Sequence, residues 1–235
     1  MPVEIFNLDQ GYAVFSNSNY QTRKHAHYLI EVVFSHTGTF SISTAAGEFT
    51  GLTNAILPPN VTHSFDCLHA TCDLLFLDPL SPAGRYFMQA FTLYQSNSPV
   101  TNHPDLDAFH VGAGVNIPLL LQRAGTPDNS HLDERIRQCL RTIDALAHTN
   151  HLTLTQLSKA SYLSEGRLSH LFKNQLGISV HQYILWKRLM MAILKSRQGS
   201  SLTACAHDAG FTDSSHFTRV FYKMFGIKPF FALKS

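Results

Sequence analysis

SLTACAHDAGFTDSSHFTRVFYKMFGIKPF, residues 201–230, is the stretch on which the fold turns. Leu202, Cys205, Ala206 and Ala209 recur on one helical face, and Gly210 is the residue best able to take a positive φ in a tight turn. Asp213 can then cap a second helix, in which Phe217, Val220, Phe221 and Met224 fall at i, i+3, i+4 and i+7 and are expected to be buried. The opposite stripe is Ser215, Thr218, Arg219 and Tyr222: small, hydrogen-bonding or cationic, with no acid. Such a helix suits the DNA major groove. Taken alone, the stretch also reads as an ordinary helical hairpin.

The same pattern occurs earlier in the chain. Leu157 and Ser158 stand 48 residues before Cys205 and Ala206, while Leu168, Leu171, Phe172, Leu176 and Gly177 stand 49 before Phe217, Val220, Phe221, Phe225 and Gly226. The second copy therefore has one extra residue in its turn. Shifted back by 49, the exposed stripe becomes Gly166, Ser169, His170 and Lys173, again without a carboxylate. Between the copies, Tyr183, Trp186, Leu189, Met190, Ile193 and Leu194 make an apolar helical face. A connecting helix of that kind can hold two reading helices in fixed relation, on major-groove segments roughly 34 Å apart.

The spacing of Leu157, Ser164, Leu168, Leu171, Phe172, Gly177, Tyr183, Arg188, Leu189 and Ala192, followed by Ala206, Gly210, Phe211, Phe217, Arg219, Phe221, Gly226 and Pro229, resembles the AraC/XylS family of bacterial transcription regulators over about residues 130–232. The resemblance implies an all-α DNA-binding domain of two helix-turn-helix subdomains joined by a long helix. It implies double-stranded DNA, a small-molecule effector and RNA polymerase as partners. Its base-reading positions carry over to Gly166, Ser169 and His170 in the first helix and to Ser214, Ser215 and Arg219 in the second. Arg167, Lys173 and Thr218 complete the expected DNA-binding set. The chain departs from the family at Ser158, where a small residue is usual, and at His170, where arginine is common. It departs again at Ala232, Leu233 and Lys234, where Tyr-Arg is common. Gly166 offers no side chain to a base edge, so the first helix is expected to position the protein on phosphates.

Charge divides the chain at the same place. Residues 1–128 hold four Lys/Arg and ten Asp/Glu, a formal charge of −6, and residues 129–235 hold fourteen and six, +8. Positive charge concentrated on the repeated helices is what phosphate binding requires. The domains are therefore expected at 1–128 and 129–235. No segment reads as a signal peptide, and no apolar run approaches the ~20 residues of a membrane span. Cys67, Cys72, Cys139 and Cys205 form no paired CxxC motif, which fits a reducing cytoplasm.

From Tyr28 to Asp78 the pattern is β. Tyr28, Ile30, Val32 and Phe34 alternate with Leu29, Glu31 and Val33, and turn signals at Gly38, Gly47 and Pro58-Pro59-Asn60 break the runs. With one or two strands around Gly11, this is a β-sandwich or barrel. Inside it, His25, His27, Glu31 and Gly38, then Pro58, Asn60 and His63, resemble the two sequence motifs of the cupin jelly-roll. The resemblance makes His25, His27, Glu31 and His63 a ligand-binding set and a metal set. It departs in lacking a glycine before the first histidine, in Asn60 for glycine and in Cys67 for asparagine. Three imidazoles and a carboxylate suit Zn, Ni, Fe or Mn with open positions for a ligand. The same four groups can instead be hydrogen-bonded pocket residues without metal. Phe34, Phe40, Ile42, Phe65 and Phe76 are candidate pocket walls, and His36 and His69 read as surface or strand-edge residues.

Ala83 to Tyr94 reads as a helix, and Leu106 to Arg123 as a second helix broken or kinked near Gly112, Gly114 and Pro118. By resemblance these helices form a homodimer contact; the alternative is that they cover the barrel. Residues 125–129 read as a linker, and Asp133 to His148 as an amphipathic helix. Two functions follow. One is a ligand-responsive transcription regulator. The other is a metal-dependent cupin enzyme, an oxygenase or isomerase, with a helical appendage that leaves the repeat unexplained.

Overall fold

The computed structural model describes residues 3–7, 10–18, 21–112, 114–125, 132–149, 152–226 and 228–229. Most of the 125–129 linker and residues 232–234 lie outside them. The chain divides into two compact units, Met1–Pro127 together with Tyr222–Ser235, and Asp128–Phe221.

The first unit is built on two antiparallel sheets. Strands β1 (Val3–Asn7), β2 (Tyr12–Ser18), β3 (Ile30–Thr37), β6 (Asn54–Leu57), β8 (Thr71–Leu77) and β9 (Val100–Thr101) form a six-stranded sheet in the order β1-β2-β8-β3-β6-β9. Strands β4 (Phe40–Thr44), β5 (Gly47–Leu52) and β7 (His63–Asp66) form a three-stranded sheet, β5-β4-β7. The central strand β3 is buried over Ile30–Phe34 on both faces. Register explains why. Glu31 pairs with Leu57 and Phe76, and Val33 with Ala55 and Leu74, which sets these residues on one face. Ile30, Val32 and Phe34 lie on the other, in one cluster with Val14, Ile56, Leu75 and Leu77.

That second face is covered by helices α1 (Pro82–Ala90) and α2 (Ile117–Ala124), whose Phe87 and Leu120 are fully buried in the same cluster. Leu119 and Leu121 pack partly against it. The covering role of this region is therefore realised within the chain. Ser81 caps α1 by accepting from the Gly84 N–H at 3.0 Å. Gly84 has no substitute, since a Cβ there would sit 1.9 Å from the Asp78 carbonyl oxygen. The helix expected over 106–123 is broken near Gly112 and Gly114, and most of it is not α-helical. Pro104–Phe109 makes 3-10 turns, β10 (His110–Val111) and β11 (Gly114–Val115) make a two-stranded hairpin, and only α2 is α-helical. Gly112 at φ +62 supplies the turn, and the β-branched Val111 and Val115 favour the hairpin over a helix. Asn54 anchors the preceding turns through the His103 N–H (2.8 Å) and the Asp107 carboxylate (2.9 Å).

The second unit is helical: α3 (Glu134–Leu146), α4 (Leu154–Ala160), α5 (Glu165–Leu176), α6 (Val180–Arg197), α7 (Leu202–Asp208) and α8 (Ser214–Phe225), of which α8 runs on past the unit's last residue. Side chains near each helix start satisfy orphan N–H groups. Thr153 with Gln156 and Ser179 with Gln182 form capping boxes, and Asp133, Ser164, Ser201 and Asp213 act as single caps. Tyr183, Trp186, Leu189, Met190 and Ile193 bury the expected face of α6, and Leu194 is half-buried. Arg188 of α6 donates to the Ala147 carbonyl at 2.7 Å and the Thr149 carbonyl at 2.9 Å, so a cation closes the C-terminal end of α3. Among the described residues no helix is long and apolar enough to cross a membrane.

Candidate functional site

The duplication read from sequence extends to single hydrogen bonds. In the first turn the Ser161, Tyr162 and Leu163 N–H groups donate to the carbonyls of Leu157, Lys159 and Ser158. In the second, Ala209, Gly210 and Phe211 donate to Cys205, His207 and Ala206, each 48 residues on. Past the turn the offset becomes 49: Ser164 caps the Arg167 N–H as Asp213 caps the His216 N–H, and Gly177 and Gly226 both sit at positive φ after their helices. Tyr162 at φ +53 holds the left-handed position that Gly210 holds at φ +83. Gly210 packs closely, since a Cβ would lie 3.0 Å from both Arg188 Nε and the His148 carbonyl oxygen. Tyr162 is 92% exposed.

Burial orients both second helices. Leu168, Phe172 and Leu176 face the core from α5, and Phe217 and Phe221 from α8, where Val220 and Met224 are only half-buried. The expected DNA-binding residues lie on the outer faces. Gly166, Arg167, His170 and Lys173 on α5 and Ser215 and Arg219 on α8 are exposed; Ser169, Ser214 and Thr218 are half-buried. The Thr218 hydroxyl donates to the Ser214 carbonyl at 2.8 Å, leaving its oxygen as an acceptor. Glu165, the one carboxylate at the start of α5, accepts from the Thr155 hydroxyl at 2.6 Å.

The basic side chains described on α3, α5, α6 and α8 fall into two groups. Arg135, Arg137, Arg141, Lys187 and Lys195 are committed to carboxylates, and Arg188 to carbonyls. Among the described residues Arg167, Lys173, Arg219 and Lys223 form no salt bridge or side-chain hydrogen bond, and all four are exposed on α5 and α8. Lys223 was legible as a cation one helical turn beyond Arg219 but is absent from the expected set. Unpaired cations on the two repeated helices are free to neutralise phosphates.

A second constellation sits in the first unit. His25 precedes β3, Glu31 lies on β3 of the large sheet, and His63 starts β7 of the small one. Paired backbone hydrogen bonds at 2.9 Å join His25 to His63. The Pro58–Asn60 turn delivers His63; Asn60 takes φ +63, the conformation for which glycine is usual there and which asparagine tolerates. His25, His27, Glu31 and His63 are all buried, with one ligand atom from each lying within 4.8 Å of the others. Glu31 Oε2 is 3.0 Å from His27 Nε2 and 3.1 Å from His63 Nε2. Each ring's Nδ1 already faces a carbonyl: Arg23 at 2.8 Å from His25, Leu29 at 3.0 Å from His27 and Val61 at 2.9 Å from His63.

These distances set a donor problem. Carbonyl and carboxylate oxygens only accept, and a neutral imidazole has one N–H, which Nδ1 needs for its carbonyl. His27 and His63 would then turn bare Nε2 lone pairs toward Glu31. Either each ring takes a second proton or a divalent cation stands between the nitrogens and the carboxylate. Backbone carbonyls on Nδ1 are the usual support of metal-ligating histidines, so these residues fit such a cation. The electrostatics differ among the four groups. Burial pushes His25 down to about 3, aided by the neighbouring His63 and His27. Burial alone would raise Glu31, but hydrogen bonds from His27 and His63 hold it below the carboxylate range. Burial opposes charge on His63, yet Glu31 raises it above its ordinary value.

The expected pocket walls are partly corrected. Phe76 stands 5.4 Å from the His27 ring and Phe40 pairs with Phe65 at 5.3 Å, but Phe34 points to the helix-covered face and stacks on His110 at 5.1 Å. Phe34 is therefore no wall of the histidine site, because its parity on β3 is opposite to that of Glu31. A groove of about 390 Å³ opens on the helical layer, with Tyr86, Phe91, Phe109 and Leu119 as apolar lining and Asp105 and Arg123 as its charged lining. His69 is exposed as expected, whereas His36 lies 2.8 Å from buried Asp73. The four cysteines are buried and none forms a disulfide, and burial pushes Cys139 up to about 12.

Comparison with known proteins bears on both units. Residues 157–231 match the helix-turn-helix domain family. The arabinose operon regulatory protein of Salmonella typhimurium is 33% identical over 115 residues, 47% of this chain and 41% of that protein. That of Escherichia coli is 35% identical over 116 residues, 47% and 39%. The probable transcriptional regulator LumQ of Photobacterium leiognathi is 35% identical over 80 residues, 33% and 32%. The chain thus spans less than half the length of these relatives. A solved structure of ToxT from Vibrio cholerae shares the two-part fold at TM-score 0.58 and 13% identity, covering 93% of this chain and 95% of that one. ToxT solved with an unsaturated fatty acid bound aligns at TM-score 0.59 and 13% identity, covering 93% and 92%. Residues 157–231 accordingly match a helix-turn-helix domain and are similar to part of the arabinose operon regulatory proteins, following a sheet-rich N-terminal unit.

Proposed function

We propose that this protein is a sequence-specific transcription regulator whose DNA binding is set by a ligand or metal held in the N-terminal unit. One observation carries the reading: two helix-turn-helix copies, equivalent down to their turn hydrogen bonds, each present an exposed helix face with unpaired cations. Gly166, Arg167, Ser169, His170 and Lys173 serve the first half of the site and Ser214, Ser215, Thr218 and Arg219 the second. Arg219 is the base reader and Lys173 a phosphate contact.

The histidine cluster supplies the signal input. His25, His27, Glu31 and His63 would hold a Zn, Ni, Fe or Mn ion, which supplies a site for an anionic or carbonyl-bearing ligand. Glu31 lies on one sheet and His63 on the other, so occupancy alters how the two sheets are tied. An effector shifts DNA binding only as far as it prefers one of two states. The groove edged by Arg123 supports a second location, suited to an apolar effector with a carboxylate; ToxT is a fold neighbour solved with a fatty acid. A homodimer, contact with RNA polymerase and work in the cytoplasm belong to this proposal through the AraC/XylS resemblance. A cupin enzyme would leave the duplicated reading helices without a use.

Selection of duplex DNA from a random pool by the full chain tests the reading. The expected product is a motif of two recognised blocks about one helical turn apart, whose affinity changes when Zn(II) is added or chelated. Recovery of no motif would overturn DNA regulation. A motif with affinity indifferent to metal would move the input to the Arg123 groove.

A further inference from the structure

The large sheet carries another cluster on the face opposite Glu31. His36 lies on β3 at a register shift between Ser35 and Thr37, a bulge of the kind that re-aims a side chain. Asp73 lies on β8, opposite Phe34 and Ser16 in register. His110 begins the β10–β11 hairpin and its ring stacks on Phe34 with an interplanar angle of 4°, which fixes its plane. One ligand atom from each of the three residues lies within 4.8 Å of the others.

Asp73 is fully buried, and among the described residues no lysine or arginine pairs with it. The Ser16 hydroxyl donates to its Oδ1. Its Oδ2 stands 2.8 Å from His36 Nε2 and 3.4 Å from His110 Nε2. Despite those short distances, no ring N–H meets hydrogen-bond geometry: Asp73 Oδ2 and His110 Nε2 are both buried without a hydrogen-bond partner. A buried carboxylate oxygen without a well-aligned donor is costly, and the same atoms approach the spacing of ligands around one ion. Bonds of about 2.0–2.2 Å to a tetrahedral centre hold ligand atoms about 3.3–3.6 Å apart.

We propose that His36 Nε2, Asp73 Oδ2 and His110 Nε2 form a second divalent-metal site, which takes a borderline cation such as Zn(II) and pins the β10–β11 hairpin to the sheet. Two imidazoles and a carboxylate are a three-ligand set with a position left for water. Both histidine side chains are 15% exposed, which opens the site to exchange on one side. The Ser16 hydroxyl supports the carboxylate as an outer partner. The site shares no residue with the His25/His27/Glu31/His63 cluster and stands whether or not that cluster binds metal.

The test uses the full-length chain stripped of metal, carrying His27→Ala and His63→Ala to disable the first cluster. Zn(II) titration against a chromophoric chelator should show one remaining equivalent with a Kd below ~1 µM. Adding His110→Ala, or separately His36→Gln, should abolish it while circular dichroism stays unchanged. Hydrogen exchange across residues 104–117 should slow at least tenfold on Zn(II) addition and lose that response with His110→Ala. No equivalent in the disabled background, binding only at millimolar metal, or an equivalent that survives both His36 and His110 changes would overturn the site. Unchanged exchange in the hairpin would overturn its pinning role.

Discussion

Salt dependence gives the sharpest test of which cations meet DNA. Among the described residues, Arg167, Lys173, Arg219 and Lys223 are the unpaired cations on α5 and α8. If Arg219 reads a base, the other three meet phosphates. Each phosphate contact contributes about −0.9 to the slope of log affinity against log salt, so one chain should show a slope near −2.7. Raising salt from 50 to 200 mM should then weaken binding roughly 40-fold. Lys173→Ala should flatten the slope to about −1.8, a roughly 12-fold loss over the same range, with base preference unchanged. Arg219→Ala should behave oppositely, costing about 1–3 kcal/mol on the preferred site and relaxing one base pair with the slope nearly intact. Fluorescence anisotropy on the selected duplex, over five salt concentrations and with single-base variants of the site, measures both. Identical slopes in wild type and Lys173→Ala, together with unchanged base preference in Arg219→Ala, would refute the assignment of these faces to DNA.

Two further expectations concern stability. Gly210→Ala should destabilise the helical unit by about 2–4 kcal/mol, from left-handed strain and displacement of the Arg188 hydrogen bonds, whereas Tyr162→Gly should stay within about 1 kcal/mol of wild type. Urea unfolding followed through Trp186 checks both, and a neutral Gly210→Ala would contradict the packed turn. Glu31→Ala should cost about 3–5 kcal/mol in chelator, because two buried imidazoles lose their shared carboxylate. Thermal unfolding with and without chelator reads the loss, and an unshifted melt would mean the cluster is not held together by charge.

Legibility differed between the units for a physical reason. The helical unit announced itself because an amphipathic helix repeats its burial pattern every 3.6 residues and the duplication wrote that pattern twice. The matched turn bonds keep the 48-residue offset. The histidine cluster was legible as spacing, since His25, His27 and Glu31 are close in sequence and His63 follows a proline turn. What stayed hidden depended on parity and long-range pairing. Phe34 and Glu31 lie three residues apart on one buried strand, and only register with β8 shows that they face opposite ways. His36, Asp73 and His110 come from three distant segments, and a bulge re-aims one of them. The hairpin in place of a helix over 106–123 followed local choices at Gly112 and Val111 that the apolar pattern masked.

Gly166 has open space around it: a Cβ built there meets nothing within 4 Å, and its backbone is helical. It is also exposed, one residue past the first residue of a reading helix. Any side chain therefore fits without repacking, and leaving glycine should strengthen the helix by about 0.5–1 kcal/mol. This makes residue 166 a blank position for engineering. If α5 enters the major groove as proposed, asparagine, glutamine or arginine placed there would change the preferred operator while the rest of the domain stays as it is.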